Sequence, residues 1–174
     1  MDEERSYEQI TLDDLARLEE ITAVDRRTFF ITRPEYAQRM LCTALCQGAG
    51  QHYVELAAGD EKPYGIKDFD VWTFFSTIPG TMFPANRRLT HADFGQSRFG
   101  RWTGGLRQFR RYQGRRVDMI MRGLPVPLDA DPAEAVRAYL TEARTTSARL
   151  LAAKGVVLIS PADRRGTVIW PVTT

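Results

Sequence analysis

The chain has 174 residues, of which 43% are apolar and 26% charged, with a net charge of +2. That is the make-up of one ordinary globular domain with a real core. No apolar run is long enough to span a membrane, the acidic start Met1-Asp2-Glu3-Glu4-Arg5 lacks an apolar signal core, and the only two cysteines, Cys42 and Cys46, sit too close to staple a domain, so the expectation is a cytoplasmic protein with no membrane partner.

In chain order, Thr11 opens a helix, with Asp14 as an imperfect capping box and Leu12, Leu15, Leu18 and Ile21 along one face. Thr32-Arg33-Pro34 opens a second, expected to run through Tyr36 and Met40 into the Cys42 to Cys46 region. Residues 44–56 read two ways: Gln51 to Leu56 alternates like a strand, while Gly48 and Gly50 break a helix or bend a strand. A polar loop over 57–65 leads into Gly65-Ile66-Lys67-Asp68-Phe69-Asp70-Val71-Trp72-Thr73-Phe74-Phe75, a turn running into a strongly apolar strand that ends before Pro79-Gly80. Residues 79–105, rich in Gly, Pro, Asn and Arg, read as one long irregular connection. Arg115 to Met121 is a second apolar strand, broken by Pro125-Val126-Pro127. Asp131 as N-cap, Pro132 and Glu134 begin a helix that carries Val136, Tyr139, Leu140, Leu150 and Leu151 to near Gly155. Val156 to Ile159 and Thr167 to Trp170 read as short strands. With no repeat and no second domain, the layout is one α+β domain over 1–174: N-terminal helices in 1–43, a catalytic sheet core in 44–122, and a C-terminal helix and strands in 131–174.

The chemistry lies in the two apolar strands. Asp68 and Asp70 alternate with Phe69 and Val71, so the two carboxylates share a face with Cα atoms about 7 Å apart, and a neighbouring strand can bring Asp118 alongside. Burying an uncompensated carboxylate costs several kcal/mol. Three of them in apolar strands call for a partner, and a divalent ion such as Mg²⁺, held by Asp68, Asp70 and Asp118, is the economical one. The plainer alternative makes Asp68 a turn residue and pairs Asp118 with Arg116.

From Arg98 to Arg122 stand Arg98, Arg101, Arg107, Arg110, Arg111, Arg115, Arg116 and Arg122, with Asp118 as the only acid. Such a patch suits phosphate, nucleotide or nucleic acid, and several of its arginines are expected to border the carboxylates. Phe94, Phe99, Trp102, Phe109 and Tyr112 interleave with them, as bases to stack on or as packing for a long loop. Lys67 is a weaker phosphate candidate, because strand alternation turns it away from the aspartates. Cys42, Cys46 and His52 lack a fourth ligand and read as core rather than as a zinc site. His52 and His91 read as structural or surface residues. No G-x-S-x-G, Walker A or Rossmann fingerprint is present.

Over about Ala44 to Met121 the pattern resembles the nucleotidyltransferase superfamily named for DNA polymerase beta. Asp68-Phe69-Asp70 matches the family's D-x-D, and Val117-Asp118-Met119 its third carboxylate. The resemblance implies a small mixed β-sheet flanked by helices, two Mg²⁺ ions, a nucleoside triphosphate substrate, and a third aspartate, Asp118, that helps activate the attacking hydroxyl. An acceptor is required, nucleic acid among the candidates. The family's Gly-Ser lies nearer its D-x-D. Here Gln47-Gly48-Ala49-Gly50 stands farther upstream and has no serine, so Gly48 and Gly50 are the candidates for backbone contact with phosphates, beside Lys67, Arg110, Arg111 and Arg116. The competing expectations are a degraded member that binds nucleic acid or a protein through its arginines, and a metal-dependent nuclease or phosphohydrolase.

Overall fold

The computed structural model describes residues 4–86, 88–101 and 107–171; Trp102 lies outside them. Its elements are α1 (Leu12–Thr32), β1 (Met40–Cys46), α2 (Gln47–Ala57), β2 (Phe69–Ser76), β3 (Leu89–Asp93), β4 (Arg116–Leu124), α3 (Pro132–Glu142), α4 (Thr146–Ala152), β5 (Val156–Ser160) and β6 (Val168–Trp170). The strands form one open mixed sheet in the order β3-β4-β2-β1-β5-β6. β2 and β4 run parallel, and the other neighbouring pairs are antiparallel. The architecture is α+β. No helix among the described residues is long and apolar enough to cross a membrane.

Alternation sorts the sheet into two buried faces. Phe69, Val71, Val117 and Met119 pack with Leu15 and Leu18 of α1. Trp72 and Phe74 pack on the opposite face with Val136 and Leu140 of α3 and Leu151 of α4. Phe29, Tyr36, Phe75 and Phe83 close one end as an aromatic cluster. At the start of α1 the capping box forms in full: Thr11 Oγ1 accepts from the Asp14 N–H, and the Asp14 carboxylate accepts from the Thr11 N–H at 2.7 Å.

Five expectations are corrected. The helix expected from residue 34 to 46 is a single 3₁₀ turn, Pro34–Tyr36, followed by β1. β1 is a central strand buried on both faces, so Met40-Leu41-Cys42-Thr43-Ala44-Leu45-Cys46 shows no alternation to betray it. The sheet core therefore begins at residue 40 rather than 44, and β5 and β6 belong to the same sheet. The strand reading of residues 51–56 gives way to α2. The supposedly irregular stretch 79–105 contains β3, a short half-exposed edge strand. The helix expected from 131 to 155 is two, since Ala143 turns left-handed (φ 47°) and Thr145 caps a new start by accepting from the Ala148 N–H.

Candidate metal centre

β2 and β4 pair in parallel with Asp70 opposite Asp118 and Trp72 opposite Ile120. Register partners in a sheet share a face, so both carboxylates stand on the α3/α4 face. Asp68 lies just before β2 and joins them. One ligand oxygen from each of Asp68, Asp70 and Asp118 falls within 4.8 Å of the others, and the group can hold a metal ion. Hard carboxylate oxygens of this kind suit Mg²⁺, Ca²⁺ or Mn²⁺.

The electrostatics of the site are unbalanced. Burial pushes the Asp68 carboxyl up, and Asp118 adds to it, against the opposing pull of Arg116 and Lys67. Asp70 lies well above the ordinary carboxylate range, again through burial first and then through Asp68 and Asp118. Arg116 is the counter-ion: its Nη2 donates to Asp68 Oδ2 at 3.2 Å, and its Nε lies 2.8 Å from Asp118 Oδ1. His91, opposite Asp118 on β3, places Nδ1 2.6 Å from the same oxygen. The plainer expectation, an Asp118–Arg116 pair, thus holds alongside the cluster.

Beside the carboxylates lies a cleft of about 310 Å³, lined among others by Asp68, Asp70, Gln47, Gly48, Trp72 and Lys154. α2 opens there because Cys46, the last residue of β1, is the register partner of Asp70. Its first turn carries no acid, so its orphan N–H groups favour an anion. Arg5, Lys67, Tyr64 and Leu150 complete the wall. Tyr64 stands between two cations: the Arg5 guanidinium lies 5.2 Å from the ring centroid and the Lys154 ammonium 4.7 Å, with Lys154 Nζ also 3.3 Å from the Tyr64 hydroxyl. The Lys154 hydrogen bond and charge pull the phenol below its ordinary value.

Several expected site residues move. Lys67 precedes β2, where alternation does not apply, and it lines the same cleft as the aspartates rather than turning away. Gly48 lines the cleft. Gly50 is buried, and a Cβ there would come within 2.2 Å of the Gly155 carbonyl oxygen, so this glycine serves the packing of α2 on the strand before it and the turn before β5. Arg110 and Arg111 lie on an exposed turn and do not line the cleft; of the arginine patch, Arg116 alone among the described residues pairs with the cluster. Cys42 and Cys46 are buried core thiols, with Cys42 pushed up to about 12 by burial. His52 is buried as a structural residue, but His91, read the same way, reaches the site. Arg5, Tyr64 and Lys154 carry no local signature, and only the fold brings them to the cleft. No protein-family model matches the chain, and no curated protein matches it.

Proposed function

We propose that the chain is a Mg²⁺-dependent nucleotidyltransferase that moves a nucleoside monophosphate from a triphosphate to an acceptor hydroxyl, on a fold of the DNA polymerase beta kind. The observation that carries this reading is the convergence of Asp68, Asp70 and Asp118 beside a cleft also lined by Arg5, Lys67 and Lys154. Asp68, Asp70 and Asp118 would hold Mg²⁺, which supplies Lewis-acid polarisation of phosphoryl oxygens when bound. Arg5, Lys67 and Lys154, with the first turn of α2, offer positive potential to the β- and γ-phosphates. Asp118, held by His91 and Arg116, would orient the acceptor hydroxyl and take its proton. The acceptor oxygen bonds to the α-phosphorus, the bond from α-phosphorus to the bridging oxygen breaks, and pyrophosphate leaves with that electron pair.

Arg116 favours a second reading. Its guanidinium already bridges Asp68 and Asp118, as in a domain that has traded its metal for a permanent counter-ion and only binds. Thermal denaturation with Mg²⁺ and each nucleoside triphosphate separates the two. Transfer predicts that one triphosphate stabilises the wild type by about 2.7 kcal/mol at a hundredfold excess over Kd, that Asp70→Asn loses the effect, and that pyrophosphate is released once an acceptor is supplied. An equal response from both proteins, or none from either, leaves the binding reading in place.

A further inference from the structure

Immediately before β4 the chain makes a one-turn 3₁₀ helix, Arg107–Phe109, and then a turn through Tyr112. Phe109 is buried and plugs this turn onto the metal centre. Its ring meets His91 edge-on at 5.1 Å, and the Arg116 guanidinium lies 4.8 Å from its centroid. Those are the two residues that hold Asp118. Asp93 closes the base of the turn by accepting from the N–H groups of Gln113 at 2.7 Å and Gly114 at 2.9 Å. Gly114 approaches Gly95 so closely that a Cβ would lie 1.9 Å from the Gly95 carbonyl oxygen, which fixes the turn against the end of β3.

What this anchored turn presents outward is cationic. Arg107, Arg110 and Arg111 are exposed, and exposed Arg101 donates to the Arg110 carbonyl. None of Arg107, Arg110 and Arg111 forms an ion pair among the described residues. The nearby acid, Asp93, already serves backbone donors. Half-buried Tyr112 packs on Phe109 at 5.3 Å, adding an aromatic surface beside the guanidinium groups.

Position gives the turn a use. In the sheet order β3-β4-β2, Asp118 on β4 stands between the Asp68–Asp70 cleft and the β3 flank where the turn is seated. A triphosphate entering beside Arg5 and Lys154 leaves the arginine flank open to a second reactant. We propose that the turn over 107–112 docks that reactant, the acceptor, and that it is a single-stranded nucleic acid whose terminal hydroxyl reaches Asp118. The acceptor role rests on the nucleotidyltransferase reading; the binding does not. Guanidinium forks match phosphate oxygens in pairs, and an aromatic ring offers a base a stacking partner. The Asp118 side chain is only 10% exposed, so a thin, flexible chain end fits where a duplex or a folded protein does not. A strand end also carries the hydroxyl nucleophile that the chemistry needs.

The test compares the wild type with Arg107→Ala/Arg110→Ala/Arg111→Ala, all three at exposed positions where truncation leaves the core intact. Binding of an end-labelled single-stranded oligoribonucleotide is followed by fluorescence anisotropy across a salt series, with Mg²⁺–triphosphate thermal stabilisation measured in parallel. The expected result is binding weakened at least about tenfold in the triple variant, with a log K against log salt slope flatter by about 2 and triphosphate stabilisation unchanged. Equal oligonucleotide binding by both proteins, or no binding by the wild type, overturns the docking surface. So does competition by polyglutamate as effective as that by unlabelled oligonucleotide, which would point to an acidic protein partner. A wild type that binds oligonucleotide but responds to no triphosphate overturns the acceptor role and the transferase reading, and identifies the failure as theirs.

Discussion

On the α1 face of the sheet, Glu19 accepts from Thr43 Oγ1 at 2.8 Å and pairs with Arg26, while Thr43 Oγ1 lies 2.7 Å from Ser160 Oγ. One carboxylate meets one guanidinium, and the hydroxyls take up the remaining oxygen. On the other face, three carboxylates share the Arg116 guanidinium, the His91 imidazole and the charge of Lys67 near Asp68. Both clusters are largely buried, and both join elements far apart in sequence. The first is balanced in charge and ties α1 to β1 and β5. The second crowds like charges together, and burial first, then that crowding, raises the proton affinity of Asp68 and Asp70. An excess of like charge costs stability, so its retention points to a use outside the fold.

The largest effect expected is on chemistry. On the transferase reading proposed above, Asp70→Asn removes a carboxylate that would hold the metal, and transfer should fall by at least about 1,000-fold, roughly 4 kcal/mol, in a pyrophosphate-release assay. The same substitution should stabilise the metal-free protein. Because the folded-state value of Asp70 is raised, its favourable contribution is complete in acid, below the ordinary carboxylate value, and is lost as pH rises through the raised one. At neutral pH the wild type bears that cost and the amide does not. The variant should be more stable by about 1 kcal/mol there, with the gap closing towards acid and closing again with Mg²⁺. A variant less stable than wild type at neutral pH would show that the carboxylates are not in conflict.

Glu19→Gln should behave in the opposite way. It leaves the Arg26 charge largely buried without its partner, which costs about 3 kcal/mol, and chemical denaturation should give the same loss with and without Mg²⁺. A loss that Mg²⁺ repaired would mean that the two clusters are coupled. Arg116→Met sharpens the contrast at smaller cost. The metal-free protein should lose about 1 to 2 kcal/mol as the carboxylates lose their counter-ion, and Mg²⁺ should restore it. If Mg²⁺ affinity instead falls, Arg116 is supporting the site rather than holding the ion's place.

What was readable in the sequence follows the same division between local and assembled features. β2 and β4 declare themselves because an aspartate in an apolar run is conspicuous, and because alternation within β2 sets Asp70 on the face opposite Phe69 and Val71. The balanced cluster is silent: Thr43 and Ser160 are ordinary residues until β1 and β5 pair. β1 hides because a strand buried on both faces has no period, and its Met, Leu, Cys and Ala are at home in helices. α2 hides behind Gly48 and Gly50, the latter kept for close backbone packing against Gly155. His91 hides because Leu89-Thr90-His91-Ala92-Asp93 is a polar edge strand, and its partner Asp118 is assigned by register. The split between α3 and α4 did have a signal, Thr145 ahead of Ala148, which the apolar spacing obscured.

The smallest effect concerns how the cleft is held open on its Tyr64 side. His52 of α2 is fully buried, with Nε2 accepting from the Ile10 N–H at 3.3 Å and Nδ1 2.7 Å from the Tyr64 carbonyl oxygen. This geometry needs the neutral ring with its proton on Nδ1. Burial lowers the proton affinity of His52 below its ordinary value of 6.5. The unfolded chain therefore takes up a proton that the folded one refuses, and stability falls as pH drops through 6.5, levelling off once the folded-state value is passed. Asp68 and Asp70 pull the other way over part of that range, so the wild-type profile alone does not isolate the histidine. A glutamine side chain can accept from Ile10 and donate to Tyr64 without titrating. The stability advantage of wild type over His52→Gln should thus shrink by on the order of 1 kcal/mol between neutral and mildly acidic pH. A difference that stays flat would mean that the imidazole takes up its proton as readily in the fold as in the unfolded chain, and that the segment 4–10 and the loop carrying Tyr64 are joined some other way.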